Sequence, residues 1–289
     1  MNAPFDRAAE TVGNILKLEH VNTGVTDQHS ATLFYLAGLG LTRDPYVNVS
    51  VNNMWINVGR QQFHLPTGKP QVVRGWTGLV LPEREQLLKR LAMVAKPLQD
   101  TKFLVREHED FVEVHSPWGN RMRCHLPDRA SFGPAQLAIP YVEFEVPAGA
   151  AAGIARFYRE VMGAPAELQD DNAGAAARVA IGEQWLLFRE TDAALPDYDQ
   201  HHIQIYIADF GKPYETLKAR GLISLESNAH EYRFVDIVDP ADGRVLYKLE
   251  HEVRSLRHPG YGRELVNRNP LQTNQGYVPG QDALSWALP

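Results

Sequence analysis

Cysteine is nearly absent from this 289-residue chain, which contains Cys124 and no other. A single cysteine allows neither an internal disulfide nor a cysteine-based zinc site, and it favours a reducing cytoplasm as the location. Basic residues are not in excess, since the formal net charge is −6. A broad surface for nucleic acid is therefore not expected.

Long apolar runs are also missing. No stretch approaches the roughly 20 apolar residues that a membrane-spanning helix requires, and residues 1–14 lack the apolar core of a signal peptide. The sequence contains no phosphate loop, no Rossmann fingerprint and no nucleophile elbow. We therefore expect a cytoplasmic protein without membrane or nucleic-acid partners.

The stretch from His20 to Gly40 shows what the chain has instead. Alternating residues predict a strand through His20, and Asp27 or Ser30 can cap the amphipathic helix that follows. A glycine then ends the helix. Three short strands come next, and the order strand, helix, strand, strand, strand recurs four times along the chain. Eleven histidines accompany this pattern, and several of them fall in predicted strands.

Landmarks in the two halves of the chain repeat at one offset of 123 positions. These landmarks are Phe34-Tyr35 with Phe157-Tyr158, Gly40 with Gly163, Gly59 with Gly182, and Ser116-Pro117 with Asp239-Pro240. A constant offset across several landmarks indicates a duplicated domain. We predict an arm (1–14), a first domain (15–128), a linker (129–138), a second domain (139–252) and a C-terminal extension (253–289).

The pattern resembles the vicinal oxygen chelate superfamily of glyoxalases, bleomycin-resistance proteins and extradiol dioxygenases. The first strand with His20, the helix end at Phe34-Tyr35 and Gly40, and the Asp-Pro or Ser-Pro turn before the last strand carry this resemblance. It covers about residues 16–252. The resemblance implies an α+β fold of four βαβββ modules, paired into two domains. Each domain is expected to contain a curved, mixed eight-stranded sheet with a concave site.

The resemblance also assigns candidate metal ligands in the first half. His20 takes the first-strand position and His64 the fourth-strand position, whereas Arg123 occupies the last position, where a glutamate is usual. Alternation places His125 on the face of Arg123. His20, His64 and His125 could form a three-histidine site. Alternatively, Arg123 could act as a catalytic cation that binds a carboxylate or enolate, or the histidines could simply be hydrogen bonded in a cup without metal.

Two positions stay open in the second half. The first-strand position falls on Glu143 or Tyr141, and His202 matches the next one. The last position is Tyr247 by strict count, which would make it a catalytic residue, or Glu250 by alternation. One reading is a facial set of His202, Glu250 and Glu143; the other is that the strand carboxylates are solvated edge charges.

The resemblance implies a metal-dependent enzyme that acts on a small substrate with two neighbouring oxygens, such as a catechol or enediol. Dioxygenase-like chemistry is favoured because of the two-domain length, with Fe(II) as the expected metal and Mn or Zn as alternatives. A lyase or isomerase of glyoxalase or epimerase type is a second reading. A third is a metal-free binding protein that sequesters a small molecule. The C-terminal extension could also mediate a homodimer.

Overall fold

A computed structural model describes residues 7–45, 52–171 and 174–265. Four modules follow one another in the described chain, each with four strands. Module 1 contains β1 (Ile15–Asn22), β2 (Thr42–Arg43), β3 (Asn53–Val58) and β4 (Gln61–Pro66), and module 2 contains β5 (Gly75–Val80), β6 (Leu104–Glu107), β7 (Val112–His115) and β8 (Arg121–His125). Module 3 contains β9 (Tyr141–Pro147), β10 (Ala166–Asp171), β11 (Gly174–Ile181) and β12 (Gln184–Thr191), and module 4 contains β13 (His202–Ile207), β14 (Ile223–Asn228), β15 (Glu231–Val238) and β16 (Val245–Ser255).

One main helix follows the first strand of each module, as the alternation and capping signals predict. These are α1 (Gln28–Ala31), which continues as wider π-type turns over Thr32–Gly38, α2 (Arg84–Ala95), α4 (Ala151–Glu160) and α5 (Gly211–Ala219), while the short α3 (Arg129–Phe132) lies in the predicted linker. Asp27 is the N-cap of α1, because its carboxylate accepts a hydrogen bond from the Ser30 backbone N–H at 2.7 Å. The strand predicted at about 46–51 lies outside the described residues. No helix of the described ranges is long and apolar enough to cross a membrane.

The sixteen strands form two eight-stranded mixed sheets, which confirms the predicted fold class. The first sheet has the order β14-β15-β16-β13-β1-β4-β3-β2, and the second has the order β10-β11-β12-β9-β5-β8-β7-β6. Module 1 therefore pairs with module 4, and module 2 with module 3. Each sheet takes one module from either side of the linker, and the division into domains 15–128 and 139–252 stays a prediction. The sequence repeat identifies modules 1 and 3 as copies, but it says nothing about which modules pair.

Register at the centre of the first sheet brings several polar side chains into adjacent rows. In one row, His20 of β1 lies between Gln62 of β4 and Gln204 of β13, and Gln204 is beside Glu252 of β16. The next row contains Asn22, His64, His202 and Glu250. Because alternate residues of a strand share a face, both rows lie on the same polar face of the sheet.

Two glutamines join the halves of the molecule in an equivalent way. Gln61 accepts a hydrogen bond from the Ile139 backbone N–H at 3.1 Å, and Gln184 accepts one from the Leu18 backbone N–H at 3.0 Å. Each follows a turn glycine, Gly59 or Gly182, with a positive φ of 63° or 55°. A Cβ at Gly59 would lie only 1.9 Å from a backbone oxygen of the opposite half. The duplicated glycines therefore allow the two halves to approach closely.

The last strand is longer than the sequence predicts, since β16 continues to Ser255. The predicted boundary of the C-terminal extension at residue 253 therefore moves to residue 256. Residues 256–265 follow without a helix or strand, and residues 266–289 lie outside the described residues. Dimerisation through the extension stays a prediction.

Candidate metal centre

Three histidines from three adjacent strands converge on the polar face of the first sheet. One ring nitrogen each from His20, His64 and His202 lies within 4.8 Å of those of the other two. The ring of His20 is centred 5.7 Å from that of His64 and 5.8 Å from that of His202. We call this face, with these three histidines and Glu252, the histidine cup.

Several ring nitrogens of this cluster lack a hydrogen-bond partner among the described residues. Both nitrogens of His20, and Nε2 of His64 and of His202, are buried without a hydrogen bond from any described residue. Buried polar atoms in folded proteins are nearly always paired, so a cluster of unpaired ones requires an explanation. Imidazole nitrogens that converge from different strands are suited to hold a divalent transition metal. The residues present therefore fit a metal ion.

Burial keeps the cluster in the protonation state that binds metal. It lowers the pKa of His20, and it takes the pKa of His64 well below its usual range, where the neighbouring His20 and His202 add to the effect. These imidazoles are consequently neutral at neutral pH, which is the form that donates a lone pair.

A carboxylate adjoins the cluster at its β16 side. Glu252 Oε2 lies 3.5 Å from His202 Nε2, and its oxygens form ion pairs with Arg233 Nη2 at 2.5 Å and Arg254 Nη2 at 2.6 Å. Burial alone would raise the pKa of Glu252, but the interaction with His202 and the nearby positive charges hold it well below its usual range. Glu252 is therefore an anion placed beside the three imidazoles.

A second carboxylate faces His20 from the same strand. Glu19 Oε2 lies 3.7 Å from His20 Nδ1. Burial would raise the pKa of Glu19, but the interaction with His20 and the charges of Lys17 and Arg254 lower it to about 2. This separation is an electrostatic contact rather than a hydrogen bond, so Glu19 places a negative charge beside His20 Nδ1.

Trp55 closes the β3 side of the cluster. Its ring stacks on His64 with centroids 3.9 Å apart and an interplanar angle of 14°, and it meets His20 edge-on at 4.9 Å. An indole in this position fixes the orientation of His64 and keeps bulk water away from both histidines.

The structure does not bring together either predicted ligand set. His20 and His64 are close, as predicted, but their third neighbour is His202 rather than His125. His125 and Glu143 belong to the second sheet, so neither His20–His64–His125 nor Glu143–His202–Glu250 lies together on one sheet. The physical reason is the pairing of module 1 with module 4.

The other sequence candidates occupy separate places. Arg123 Nη1 lies 3.4 Å from Glu143 Oε2, and His125 Nε2 lies 2.9 Å from the Tyr141 hydroxyl, all on the second sheet. Tyr247 belongs to the opposite, apolar face of β16, where its ring packs near Phe144 and Phe188, so it does not reach the histidine cup. Glu250 shares the polar face but pairs with Arg233 at 2.7 Å.

Sequence reasoning missed the contributions of Glu252, Trp55 and Gln204. Glu252 shares the face of Glu250, and only the register with β13 places it beside Gln204 in the row of His20. A signal for Trp55 exists in hindsight, since it is the β3 residue that pairs directly with His64 of the neighbouring strand β4. Gln204 lies two residues after His202 and therefore on the same face.

No family model matches the chain, and no curated protein is similar enough in sequence to match it. Solved structures do match. One is a putative dioxygenase from Bacillus subtilis, at 15% identity and a TM-score of 0.55, covering 92% of this chain and 91% of the other. Another is glyoxalase I from Zea mays, at 12% identity and a TM-score of 0.58, covering 83% of this chain and 92% of the other. Likenesses at these identities show the fold, and this fold is the one that the sequence resemblance implies.

Proposed function

We propose that the protein is a metal-dependent enzyme whose divalent ion is held by His20, His64 and His202, with Glu252 as the adjoining carboxylate. The observation that carries this proposal is the group of buried ring nitrogens without protein partners. Several imidazoles with one carboxylate form a donor set that suits Fe(II), with Mn and Zn as alternatives. The substrate class is a small molecule with two neighbouring oxygens, as in a catechol or an enediol.

Charge in the histidine cup supports a cation. Burial lowers the pKa values of His20 and His64, while Glu19 and Glu252 are buried anions whose pKa values lie below their usual range. Arg233 and Arg254 pair with Glu252, and Arg254 Nη1 also lies 3.5 Å from Glu19 Oε2. These contacts hold the carboxylates in place as anions, and the positive charge of Arg254 also contributes to the lowered pKa values of His20 and His64.

The chain's own residues would position the reaction. A bound divalent ion would lower the pKa of the substrate oxygens and stabilise negative charge that develops on them. Glu19 would place a negative charge beside His20, the arginines would hold Glu252 ionised, and Trp55 would exclude water from one side. The unpaired side chains of Gln204 and Tyr206 on the same face would then bind the rest of the substrate.

Dioxygenase-like chemistry is the preferred version. The Bacillus subtilis protein that matches over most of both chains carries a dioxygenase description, and glyoxalase I supplies the runner-up reading. A substrate panel separates them. Ring cleavage of a catechol consumes dioxygen, whereas isomerisation of a hemithioacetal does not.

The first test is the metal content of the protein. We expect about one equivalent of metal per chain after anaerobic reconstitution with Fe(II), Mn(II) or Zn(II), because the site offers one convergent donor set. Elemental analysis after desalting measures it, and oxygen uptake with catechols follows on the loaded protein. Failure to retain any of the three metals would refute the enzyme proposal and favour the metal-free binding protein.

A further inference from the structure

The chain after β16 turns back across the polar face of the first sheet. We call residues 256–265 the C-terminal strap. Its Arg263 is buried and donates to Asp44 at 3.1 and 2.5 Å and to Gln62 at 3.4 Å. The Asn57 amide donates to the Leu265 backbone oxygen at 3.1 Å. The strap thus spans from β16 to the far side of β4, and buried polar contacts fix its end.

The strap covers one end of the histidine cup. The Tyr261 ring is centred 5.1 Å from the ring of Tyr206, which lies on β13 four residues beyond His202. Gly260 is so close that an added Cβ would lie 2.7 Å from the Tyr206 hydroxyl. His64 and His202 keep some exposure and lie toward the open part of the cup, whereas Tyr206 lies at its closed end.

Between these two parts lies Gln204, whose side chain has no protein partner. It is fully buried, yet neither its Oε1 nor its Nε2 forms a hydrogen bond with a described residue. The Tyr206 hydroxyl is buried and unpaired in the same way. An unpaired buried amide destabilises a folded protein, so retaining one requires a benefit from something that binds there.

Gln62 provides an internal comparison for Gln204. The two glutamines flank His20 in the same row of the sheet, one on each neighbouring strand. Gln62 is saturated, because its amide donates to Asp44 at 2.5 Å and to Asn57 at 2.7 Å while its oxygen accepts from Arg263. Only the β13 side of His20 therefore offers an available amide.

The basic side chains near Gln204 and Tyr206 are already paired with carboxylates, which limits the kind of ligand group that could bind there. Lys17 Nζ lies 3.8 Å from Glu19 Oε1, and Arg254 contacts Glu19 and Glu252. The closed end thus presents a neutral donor and acceptor from Gln204 and a hydroxyl from Tyr206, while Lys17 and Arg254 have carboxylate partners. A neutral group that both donates and accepts hydrogen bonds matches it better than a carboxylate does.

We propose that Gln204 and Tyr206 recognise a polar, uncharged substituent beside the two chelating oxygens of the substrate, such as a hydroxyl or a carboxamide. This inference rests on the proposed metal-dependent function and names the substrate class of the same site. A hydrocarbon substituent at that place would leave the amide unpaired and would bind more weakly. The strap limits the length of the substituent.

The test uses the full-length protein loaded with Co(II), whose absorption spectrum reports ligand binding. The probes are catechol, 3-methylcatechol and 2,3-dihydroxybenzamide. We expect the wild-type protein to bind the benzamide at least about tenfold more tightly than the methyl compound, since one well-made buried hydrogen bond accounts for roughly that factor. Gln204→Met, which keeps the length of the side chain, should abolish or reverse the preference, and Tyr206→Phe should reduce it.

Two controls separate recognition from folding. Tyr232 is another tyrosine with a buried, unpaired hydroxyl, but it packs with Phe210 and Tyr214 on the helix side of the sheet. Tyr232→Phe should leave the preference unchanged. The second control is the Tm of the metal-free protein. It should rise in Gln204→Met if the amide serves a ligand, and fall if the amide serves the fold.

The outcomes distinguish the two proposals. Binding of Co(II) and of all three catechols, without discrimination by wild type or without an effect of Gln204→Met, would overturn the assignment of Gln204 and leave the metal site intact. A lower Tm for Gln204→Met with an unchanged preference would overturn it as well. Absence of Co(II) binding would overturn both proposals.

Discussion

The two sheets share one architecture but carry opposite chemistry on their polar faces. On the first sheet, imidazoles converge and their nitrogens lack partners within the described residues. On the second, Glu143 lies between Arg123 at 3.4 Å and Arg189 at 3.6 Å. We call that face, with these three residues, the arginine cup. Its charges satisfy one another, whereas the donors of the histidine cup are available for something else.

The tryptophan beside each cup shows the same contrast. Trp55 stacks on the neutral ring of His64 in the histidine cup. In the arginine cup, Trp76 has the guanidinium of Arg121 at 4.6 Å and that of Arg123 at 4.4 Å from its ring centre. Tryptophan can pack against either partner, through stacking or through a cation–π contact. The environment of the ring therefore differs because the side chains of the fourth strands differ.

The comparison shows that the duplicated fold provides equivalent strand positions in both sheets, but that the side chains at those positions decide whether a metal could bind. Both sheets place polar residues at the junction of two modules, yet within the described residues only the first sheet has convergent histidine nitrogens without partners. Function must therefore be argued from the site rather than from the architecture. Experiments can test the assignment of a metal to the histidine cup and of structural ion pairs to the arginine cup.

The largest expected effect comes from removing one imidazole of the histidine cup. We expect His20→Ala to weaken metal binding by at least about 100-fold, since the loss of a direct ligand should exceed the 10–100-fold cost of losing an outer-shell partner. His125→Ala, in the other cup, should leave metal binding unchanged. Competition with a chromophoric chelator measures both affinities. Equal losses in the two variants, or a loss in His125→Ala alone, would contradict the assignment.

Acid should affect the first sheet more than the second. His251 of β16 is fully buried on the helix side, where its Nε2 lies 2.7 Å from the Tyr158 hydroxyl and its ring stacks on Phe234. Burial lowers the pKa of His251 to about 4. Between the ordinary histidine pKa of about 6.5 and this value the unfolded chain binds more protons, so stability falls with falling pH by about 3 kcal/mol in total.

Urea denaturation of the metal-free protein between about pH 7 and pH 4 measures this effect, in the range where a histidine with a lowered pKa titrates. His251→Gln should flatten the pH dependence, at a cost in stability at neutral pH. His125→Gln serves as the matched control, because burial also lowers the pKa of His125 but the ring is only partly buried. A wild-type pH profile unchanged by His251→Gln would show that other groups carry the acid sensitivity.

Much of the fold could be predicted from local patterns. The alternation of Ile203, Ile205 and Ile207 with His202, Gln204 and Tyr206 fixes both the strand and its faces. The repeat fixes the modules. Neither pattern specifies partners, because the pairing of modules depends on contacts between distant segments and every module presents a similar strand to its neighbour.

The site was harder to predict for the same reason. His20 and His202 were identified separately, and only the pairing of β1 with β13 unites them. Alternation places Glu250 and Glu252 on one face and cannot choose between them. The register of β13 with β16 makes the choice, since it sets Glu252 beside Gln204 and Glu250 beside His202. Register is a tertiary property that no single strand encodes.

The smallest expected effect lies in the arginine cup and is one of stability alone. Glu143→Gln removes the charge between Arg123 and Arg189, although Arg189 keeps its contact with Asp171 at 2.8 Å. We expect a loss of about 1 kcal/mol in urea, because Glu143 is buried but its contacts are long and Arg123 is partly exposed. Glu145→Gln, in the more exposed pair with Arg121, should cost less.

The metal affinity of Glu143→Gln decides how its loss of stability is interpreted. If the two cups are as different as their contacts indicate, Glu143→Gln will lower stability and leave metal content and affinity at wild-type values. Glutamine has nearly the same shape as glutamate, so any change in metal binding would reflect the lost charge at this position. A parallel loss of metal would mean that the arginine cup takes part in binding, and the separation of the two faces into a metal centre and a set of structural ion pairs would have to be abandoned.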